Sequence, residues 1–167
     1  MDVYKPLYFW LHPAASVPDW LIIALMALVV VAAIICAVTD LRSMIIPNTI
    51  TYPLIAIFLI AAPFLWQDWI THLVAGVSCA ILFGGAAFIK IRGQYAMGMG
   101  DVKLYTVAGL VLGLGALPCV VIASLTGAVL GIAVLRSGAL NKQIPHGPHI
   151  AFGIVLMVAV GLMGWLG

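Results

Sequence analysis

Two aspartates, Asp40 and Asp101, lie at the ends of long apolar segments, where a charge is expensive. All five acidic residues of the chain are Asp, and only these two directly adjoin a long apolar run on its basic flank. Ionisable groups at the edge of membrane hydrocarbon usually mark a functional site. Two carboxylates a few ångströms apart share one proton, so one member can act as a base and the other as an acid. Such a pair can activate water against a peptide carbonyl and then protonate the leaving amine.

The composition indicates the setting for this chemistry. Of 167 residues, 65% are hydrophobic and 7% are charged, which is too apolar for a soluble core and predicts an all-α, polytopic integral membrane protein. The net charge of +2 and its scattered basic residues give no nucleic-acid-binding surface. Cys36, Cys79 and Cys119 lie in apolar runs at spacings that fit no zinc or redox motif, so we expect buried thiols, no metal and no cofactor.

Six apolar segments are long enough to be read as membrane spans. Residues 1–18 contain aromatic side chains, prolines and Lys5, which predicts a segment lying at the headgroups. Residues 19–167 form a single six-helix transmembrane domain, with no linker that would divide it. The predicted spans are 20–39, 49–66, 69–89, 102–116, 118–135 and 149–166.

The basic residues predict the orientation of these spans. Lys5 stands alone on one side, and the other basic residues follow the first, third and fifth spans. Cytoplasmic loops are enriched in Lys and Arg, so these three loops are predicted to face the cytosol and both termini the opposite side. Asp40 ends the first span and Asp101 begins the fourth, which brings both to the cytosolic face. The basic residues on that side are Arg42, Lys90, Arg92, Lys103, Arg136 and Lys142.

The fourth span is the shortest, since Asp101 to Gly115 spans only about 22 Å as a helix. One solution is that residues 98–100 dip below the headgroups, so that Asp101 opens its helix at some depth. Gly98 and Gly100 remove side chains beside Asp101 and permit close approach of a substrate backbone. An Asp at a helix start is also an ordinary cap. That explanation serves Asp101 but explains little at Asp40, which ends a helix.

Several neighbouring residues leave alternatives open. Arg42 and Lys103 could favour the charged form of an aspartate or hold an acidic group of a substrate. His146 and His149 in the third basic loop could tune the pair or act as a base, although a loop residue at the membrane interface is the favoured interpretation of His146. Asn48 is expected to cap the second span.

Other residue patterns are expected to be structural. The GxxxG spacings at 109–113 and 127–131 predict close helix packing within the bundle, with homodimerisation as the weaker alternative. Trp66, Trp69 and Trp165 are expected in the extracytoplasmic aromatic belt.

Three short motifs resemble those of one family. Residues 40–42 read Asp-Leu-Arg, residues 46–48 read Ile-Pro-Asn, and residues 98–104 read Gly-Met-Gly-Asp-Val-Lys-Leu. Together they resemble the type IV prepilin peptidases, which are integral-membrane aspartyl proteases of the GxGD type. Residues 144–148, Ile-Pro-His-Gly-Pro, are similar to the Pro-x-Gly-Pro segment before the last helix of that family, and the resemblance covers residues from about 20 to the C-terminus.

The resemblance implies a site, a substrate and a location. The substrate would be a prepilin or pseudopilin in contact with membrane lipid, and its leader would be removed at the cytosolic face of the bacterial inner membrane. The cytosolic domain with paired CxxC motifs that larger members carry has no counterpart here, so no methyltransferase activity is expected. The implied catalytic residues are Asp40 and Asp101, and the implied substrate-binding or pair-tuning residues are Arg42, Gly98, Gly100, Lys103, Pro145, Gly147 and Pro148.

Two other classes of function compete with proteolysis. A small ion-coupled transporter or proton channel would carry charge near the midplane and interrupted helices in matching halves, and no such repeat is visible. A non-catalytic membrane subunit of a pilus-assembly complex would tolerate replacement of both aspartates. Preflagellin peptidases and presenilin-like proteases share the GxGD core, but the residues after Asp40 and Asp101 favour the bacterial prepilin branch.

Overall fold

A computed structural model describes residues 11–91, 94–95, 97–136 and 144–166. Six α-helices make up most of these residues, and they agree with the predicted all-α fold. Each helix begins and ends within a few residues of a predicted span. The helices are α1 (Asp19–Ser43), α2 (Asn48–Leu65), α3 (Trp69–Ala87), α4 (Met99–Leu112), α5 (Ala116–Arg136) and α6 (Gly147–Leu166).

Short connections join the helices. The polar link between α3 and α4 contains two antiparallel two-residue strands, β1 (Lys90–Ile91) and β2 (Gln94–Tyr95). A 3₁₀ turn, Gly113–Gly115, follows α4 directly and leads into α5. Gly113 adopts φ 54°, a left-handed conformation that glycine reaches without steric cost, and α4 therefore ends abruptly after 14 residues.

Most of the bundle is long and apolar enough to cross a membrane. In the part of the chain that the structure describes, α1, α2 and α3 each qualify by length and composition, as does the continuous stretch Met99–Val134. α6 adds a shorter apolar stretch, Gly147–Met163. The outward faces of these helices carry large apolar side chains such as Ile60, Leu82 and Val129. An apolar surface of this extent requires an apolar surrounding, so the chain is a multi-pass membrane protein.

The short helix α4 lies at the centre of the bundle. It packs most extensively against α3 and also contacts α2, α5 and α6, whereas α1 packs mainly on α6. The backbones of α3 and α4 approach closely where both carry glycine, since a Cβ atom on Gly109 would lie 2.7 Å from the Cα atom of Gly76. The GxxxG spacing that begins at Gly109 therefore serves packing within the bundle, as predicted.

The segment before α1 covers the turn between α2 and α3. Leu11 is buried, Pro13 pairs with Trp66 in an isolated bridge, and the Gln67 N–H donates to the His12 carbonyl over 2.9 Å. Trp66 is consequently 1% exposed, so its predicted place in a lipid-facing aromatic belt is wrong. The preceding segment shields it from lipid.

Three other expectations can be compared with the structure. Trp69 is partly exposed, at 38%, whereas the side chain of Trp165 and the interfacial residues 1–10 lie outside the described residues, as do Arg92 and Lys142. The cysteines Cys36, Cys79 and Cys119 are free and buried, as expected of small apolar side chains.

The predicted cap at Asn48 is wrong. α2 begins at Asn48, its N-cap is Pro47, and no side chain makes a capping hydrogen bond there. Asn48 Oδ1 instead accepts a hydrogen bond from Lys103 Nζ on α4. A proline at the boundary sets the backbone angle without needing a side-chain cap, which leaves Asn48 free to join two helices.

Candidate active site

Asp40 lies in the last turns of α1 and is held by the start of α6. Its side chain is 6% exposed, and its Oδ2 atom accepts a hydrogen bond of 2.8 Å from the Gly147 N–H. Gly147 is the first residue of α6, so the positive end of that helix faces the carboxylate. The fit is close, because a Cβ atom on Gly147 would lie 2.8 Å from Oδ2 of Asp40. Only glycine allows this approach without a shift.

Asp101 lies in the first turn of α4, two residues later in the helix than the sequence prediction placed it. Its carboxylate reaches back to the backbone N–H of Gly98, the N-cap residue of the helix. This is the acidic half of a capping box. Helix capping therefore accounts for part of the placement of Asp101.

The two carboxyl groups are close enough for the charge of Asp40 to act on Asp101. The residues that carry them are 61 positions apart in the chain, and α2, α3 and the β1–β2 hairpin lie between them. Two like charges in a poorly hydrated place repel each other, and a shared proton relieves that repulsion. The fold therefore brings together the pair of acids that the sequence singled out.

Glycines beside Asp101 serve two different contacts. A Cβ atom on Gly100 would lie 2.8 Å from the Cβ atom of Ile46, so this glycine allows α4 to approach the α1–α2 loop. A Cβ atom on Gly98 would lie 3.3 Å from Oδ2 of Asp101. Gly98 itself is exposed, whereas Gly100 is half-buried. One glycine thus positions the start of α4, and the other leaves space directly beside the carboxylate.

The two basic residues near the pair differ in their surroundings. Arg42 is exposed in the last turn of α1. Lys103 is half-buried, and its Nζ atom donates to Asn48 and lies 4.6 Å from the centroid of the Tyr52 ring. Lys103 therefore links α4 to the first turns of α2. Lys103 follows Asp101 by two residues in α4.

The segment before α6 adds a contact that the sequence did not reveal. Pro145 and Pro148 are half-buried on either side of Gly147. His146 Nε2 lies 3.1 Å from the hydroxyl of Tyr105 on α4, so the ring is not a simple loop residue at the interface. Tyr105 was not among the predicted site residues. Its spacing of four from Asp101 is the signal that could have identified it, because such residues share a helix face.

The site contains the groups needed for acid–base chemistry on a peptide. Among the described residues, no three His, Cys, Asp or Glu side chains are grouped as metal ligands. Each acid accepts a hydrogen bond from a backbone N–H at a helix start, and in each case the donor is a glycine. A membrane bundle with two acids close together at the ends of two helices is the arrangement that an intramembrane aspartyl protease requires.

Comparison with known proteins identifies the family. A family model described as the type IV leader peptidase family matches residues 27–132, a stretch that includes both Asp40 and Asp101. The chain therefore belongs to the type IV leader peptidase family. The predicted resemblance is confirmed.

Similar proteins of known family carry names that agree with this assignment. The chain is 36% identical over 134 residues to a prepilin leader peptidase/N-methyltransferase of Bacillus subtilis (strain 168), covering 77% of this chain and 52% of that protein. It is 32% identical over 174 residues to one of Aeromonas hydrophila, covering 93% of this chain and 53% of the relative. The chain thus spans about half the length of these relatives. No solved structure matches it significantly.

Proposed function

We propose that this chain is an intramembrane aspartyl endopeptidase that removes the leader peptide of prepilins or pseudopilins. The observation that carries the proposal is the approach of Asp40 and Asp101 within a chain of the type IV leader peptidase family. The names of the relatives, which are prepilin leader peptidases, support the same substrate class. The remaining residues of the site, from Arg42 to Pro148, are proposed to bind the substrate or to tune the pair.

In the proposed mechanism the two acids share one proton. The ionised member takes a proton from a water molecule, whose oxygen attacks the scissile carbonyl carbon. The protonated member donates to the developing oxyanion. As the C–N bond breaks, the proton gained from water passes to the leaving amine, and a hydroxyl of the intermediate returns a proton to the other carboxylate. No covalent intermediate with the enzyme forms. The Gly147 N–H to Asp40 and the Gly98 N–H beside Asp101 support this scheme, because both donors stabilise carboxylate charge.

The proposed topology has six crossings, with both termini outside the cytosol and the acid pair toward it. The stretch Met99–Val134 would be about 54 Å long as one helix, well beyond the roughly 30 Å of hydrocarbon. The left-handed Gly113 divides it into two passes. The excess of basic residues after the first, third and fifth helices supports the cytosolic assignment and a place in the bacterial inner membrane. A phosphatase that is active only outside the cytosol is expected to be active when it is fused after Gly167. An inactive fusion would contradict this topology.

The decisive experiment measures cleavage directly. The purified protein is incubated in lipid vesicles with a prepilin that retains its leader, and the new N-terminus is sequenced. Cleavage between leader and mature helix is expected from the parental protein and from Asp68→Asn, whose acid is exposed in the α2–α3 turn. Asp40→Asn and Asp101→Asn are expected to remain folded and to lose nearly all cleavage. Parental activity in either variant, or proton transport without cleavage, would overturn the proposal.

A further inference from the structure

A hydrogen bond joins the helix that carries Asp101 to the segment that holds Asp40. Tyr105 on α4 is 0% exposed, and its hydroxyl lies 3.1 Å from Nε2 of His146. His146 immediately precedes Gly147, whose N–H donates to Asp40 Oδ2. Tyr105 stands one helical turn after Asp101, on the same face of α4. A continuous series of contacts therefore connects the backbone around one acid with the backbone around the other.

The His146 ring is fixed by more than this hydrogen bond. A Cβ atom on Gly127 of α5 would lie 3.1 Å from both Nδ1 and Cε1 of His146, so the ring fills the space that this glycine leaves. The His146 carbonyl accepts the N–H of Ile150 over 3.2 Å, which starts the first turn of α6. The His149 ring centroid lies 5.8 Å from that of His146. The position of His146 and the start of α6 are thus set together.

The protonation of His146 fits the role of hydrogen-bond acceptor. Burial lowers the pKa of His146, and a positive charge on His149 lowers it further, while Asp40 acts in the opposite direction. The neutral ring carries its proton on Nδ1, so Nε2 can accept a hydrogen bond from the Tyr105 hydroxyl. The titratable groups that act on the ring or contact it are Asp40 on α1, Tyr105 on α4 and His149 on α6.

We propose that Tyr105 and His146 act as positioning residues that fix the separation of the two carboxyl groups. This inference rests on the proposed peptidase function. Neither side chain is placed on the reacting atoms. Their hydrogen bond holds α4 against the start of α6, and through Gly147 it determines where Asp40 stands relative to Asp101. Because a misplacement of about 1 Å can lower a rate by roughly a hundredfold, loss of the bond is expected to slow catalysis without weakening substrate binding.

Tyr105→Phe is the sharpest test, because it removes only the hydroxyl. The aromatic ring remains stacked on Phe83, whose centroid lies 4.1 Å away. We expect kcat for leader cleavage to fall by about ten- to a hundredfold, with KM within about twofold of the parental value. Thr106→Val is the matched control, because the Thr106 hydroxyl on the same helix donates within α4 to the Val102 carbonyl over 2.8 Å. This control is expected to keep the parental kcat and KM.

Variants of His146 separate positioning from packing. His146→Gln keeps a side-chain acceptor for the hydrogen bond from the Tyr105 hydroxyl and is expected to retain most of kcat. His146→Ala removes the acceptor and is expected to lower kcat as much as Tyr105→Phe does. Because both changes remove one shared contact, the double variant Tyr105→Phe/His146→Ala is expected to be little slower than either single variant. Thermal unfolding in detergent establishes that each variant is folded at the assay temperature.

The outcomes distinguish this inference from the function beneath it. If the parental protein cleaves prepilin and Tyr105→Phe has parental kcat, the positioning role is wrong and the peptidase function stands. A rise in KM at unchanged kcat, or fully multiplicative losses in the double variant, would also overturn it. If the parental protein cleaves no prepilin, the proposed function fails and the positioning role fails with it.

Discussion

Each end of α4 carries a polar cluster. The two clusters contain similar residues but differ in whether their polar groups satisfy one another. At its start, Asp101 lies close enough to Asp40 for the two charges to interact, and the His146 ring is hydrogen-bonded to Tyr105. At its end, Nδ1 of His72 donates over 3.1 Å to the carbonyl of Leu110. Both clusters combine a histidine, a glycine and a helix terminus. Only the first brings two acids together.

The cluster at the end of α4 stabilises the fold. His72 is 2% exposed and stacks on Trp66 with ring centroids 4.6 Å apart, and a Cβ atom on Gly113 would lie 3.1 Å from the ring. A helix leaves its last carbonyls without intrahelical partners, and His72 satisfies one of them. The comparison teaches that the same residue types stabilise a structure where they satisfy one another, and suggest chemistry where like charges oppose one another.

The largest expected effect is at the acid pair. Replacing Asp40 or Asp101 by Asn removes a carboxylate but keeps an oxygen that can accept the neighbouring N–H. Leader cleavage is expected to fall by about a thousandfold or more, since acid–base catalysis contributes roughly 10²–10⁴. The unfolding midpoint is expected to be no lower than the parental one, because the repulsion between like groups disappears. A clear loss of stability in both variants would mean that this end of α4 is structural too.

The next effect concerns Gly147. An alanine there would place its Cβ atom 2.8 Å from Oδ2 and 2.9 Å from Cβ of Asp40, so the carboxylate must move. We expect Gly147→Ala to lower kcat by about a hundredfold, measured with the same prepilin. Gly85→Ala is the control, because its Cβ atom would meet nothing within 4 Å. Equal activity of both variants would show that Asp40 tolerates displacement.

At the opposite end of α4 the expected effect is on stability. His72→Ala leaves the Leu110 carbonyl without this donor and removes the stack on Trp66. The free energy of unfolding is expected to fall by about 2 kcal/mol, measured by chemical denaturation in detergent, while kcat below the unfolding range stays within about twofold. A selective loss of kcat without loss of stability would erase the distinction between the two ends.

The smallest expected effect is at Lys103, which contacts α2 beside the acid pair. Lys103→Met keeps most of the aliphatic stem and removes the charge that contacts Asn48 and Tyr52. Interactions of exposed charges are worth about 1 kcal/mol or less, so KM is expected to rise by no more than about fivefold with kcat nearly unchanged. A loss of kcat as large as that of Gly147→Ala would instead assign Lys103 to the catalytic chemistry.

The sequence predicted the features that depend on hydrophobicity and on motif. The helix positions followed from the length of the apolar runs, and the meeting of Asp40 with Asp101 followed from helix parity. Contacts specified by three-dimensional packing were missed. Trp66 is buried because the segment around Pro13 folds over it, and Asn48 binds a lysine on another helix. Neither partner can be identified from local spacing, because both are distant in the chain.

Gly113, in its left-handed conformation, ends α4 after 14 residues. Contacts near both ends of this short helix fix its rotation about its own axis. Lys103 near one end and Leu110 near the other are each hydrogen-bonded to groups on other helices. One residue inserted between them would rotate the two ends by roughly 100° relative to each other. Both attachments could not then persist. Insertions and deletions should therefore be tolerated in the hairpin before α4 far better than within the helix itself.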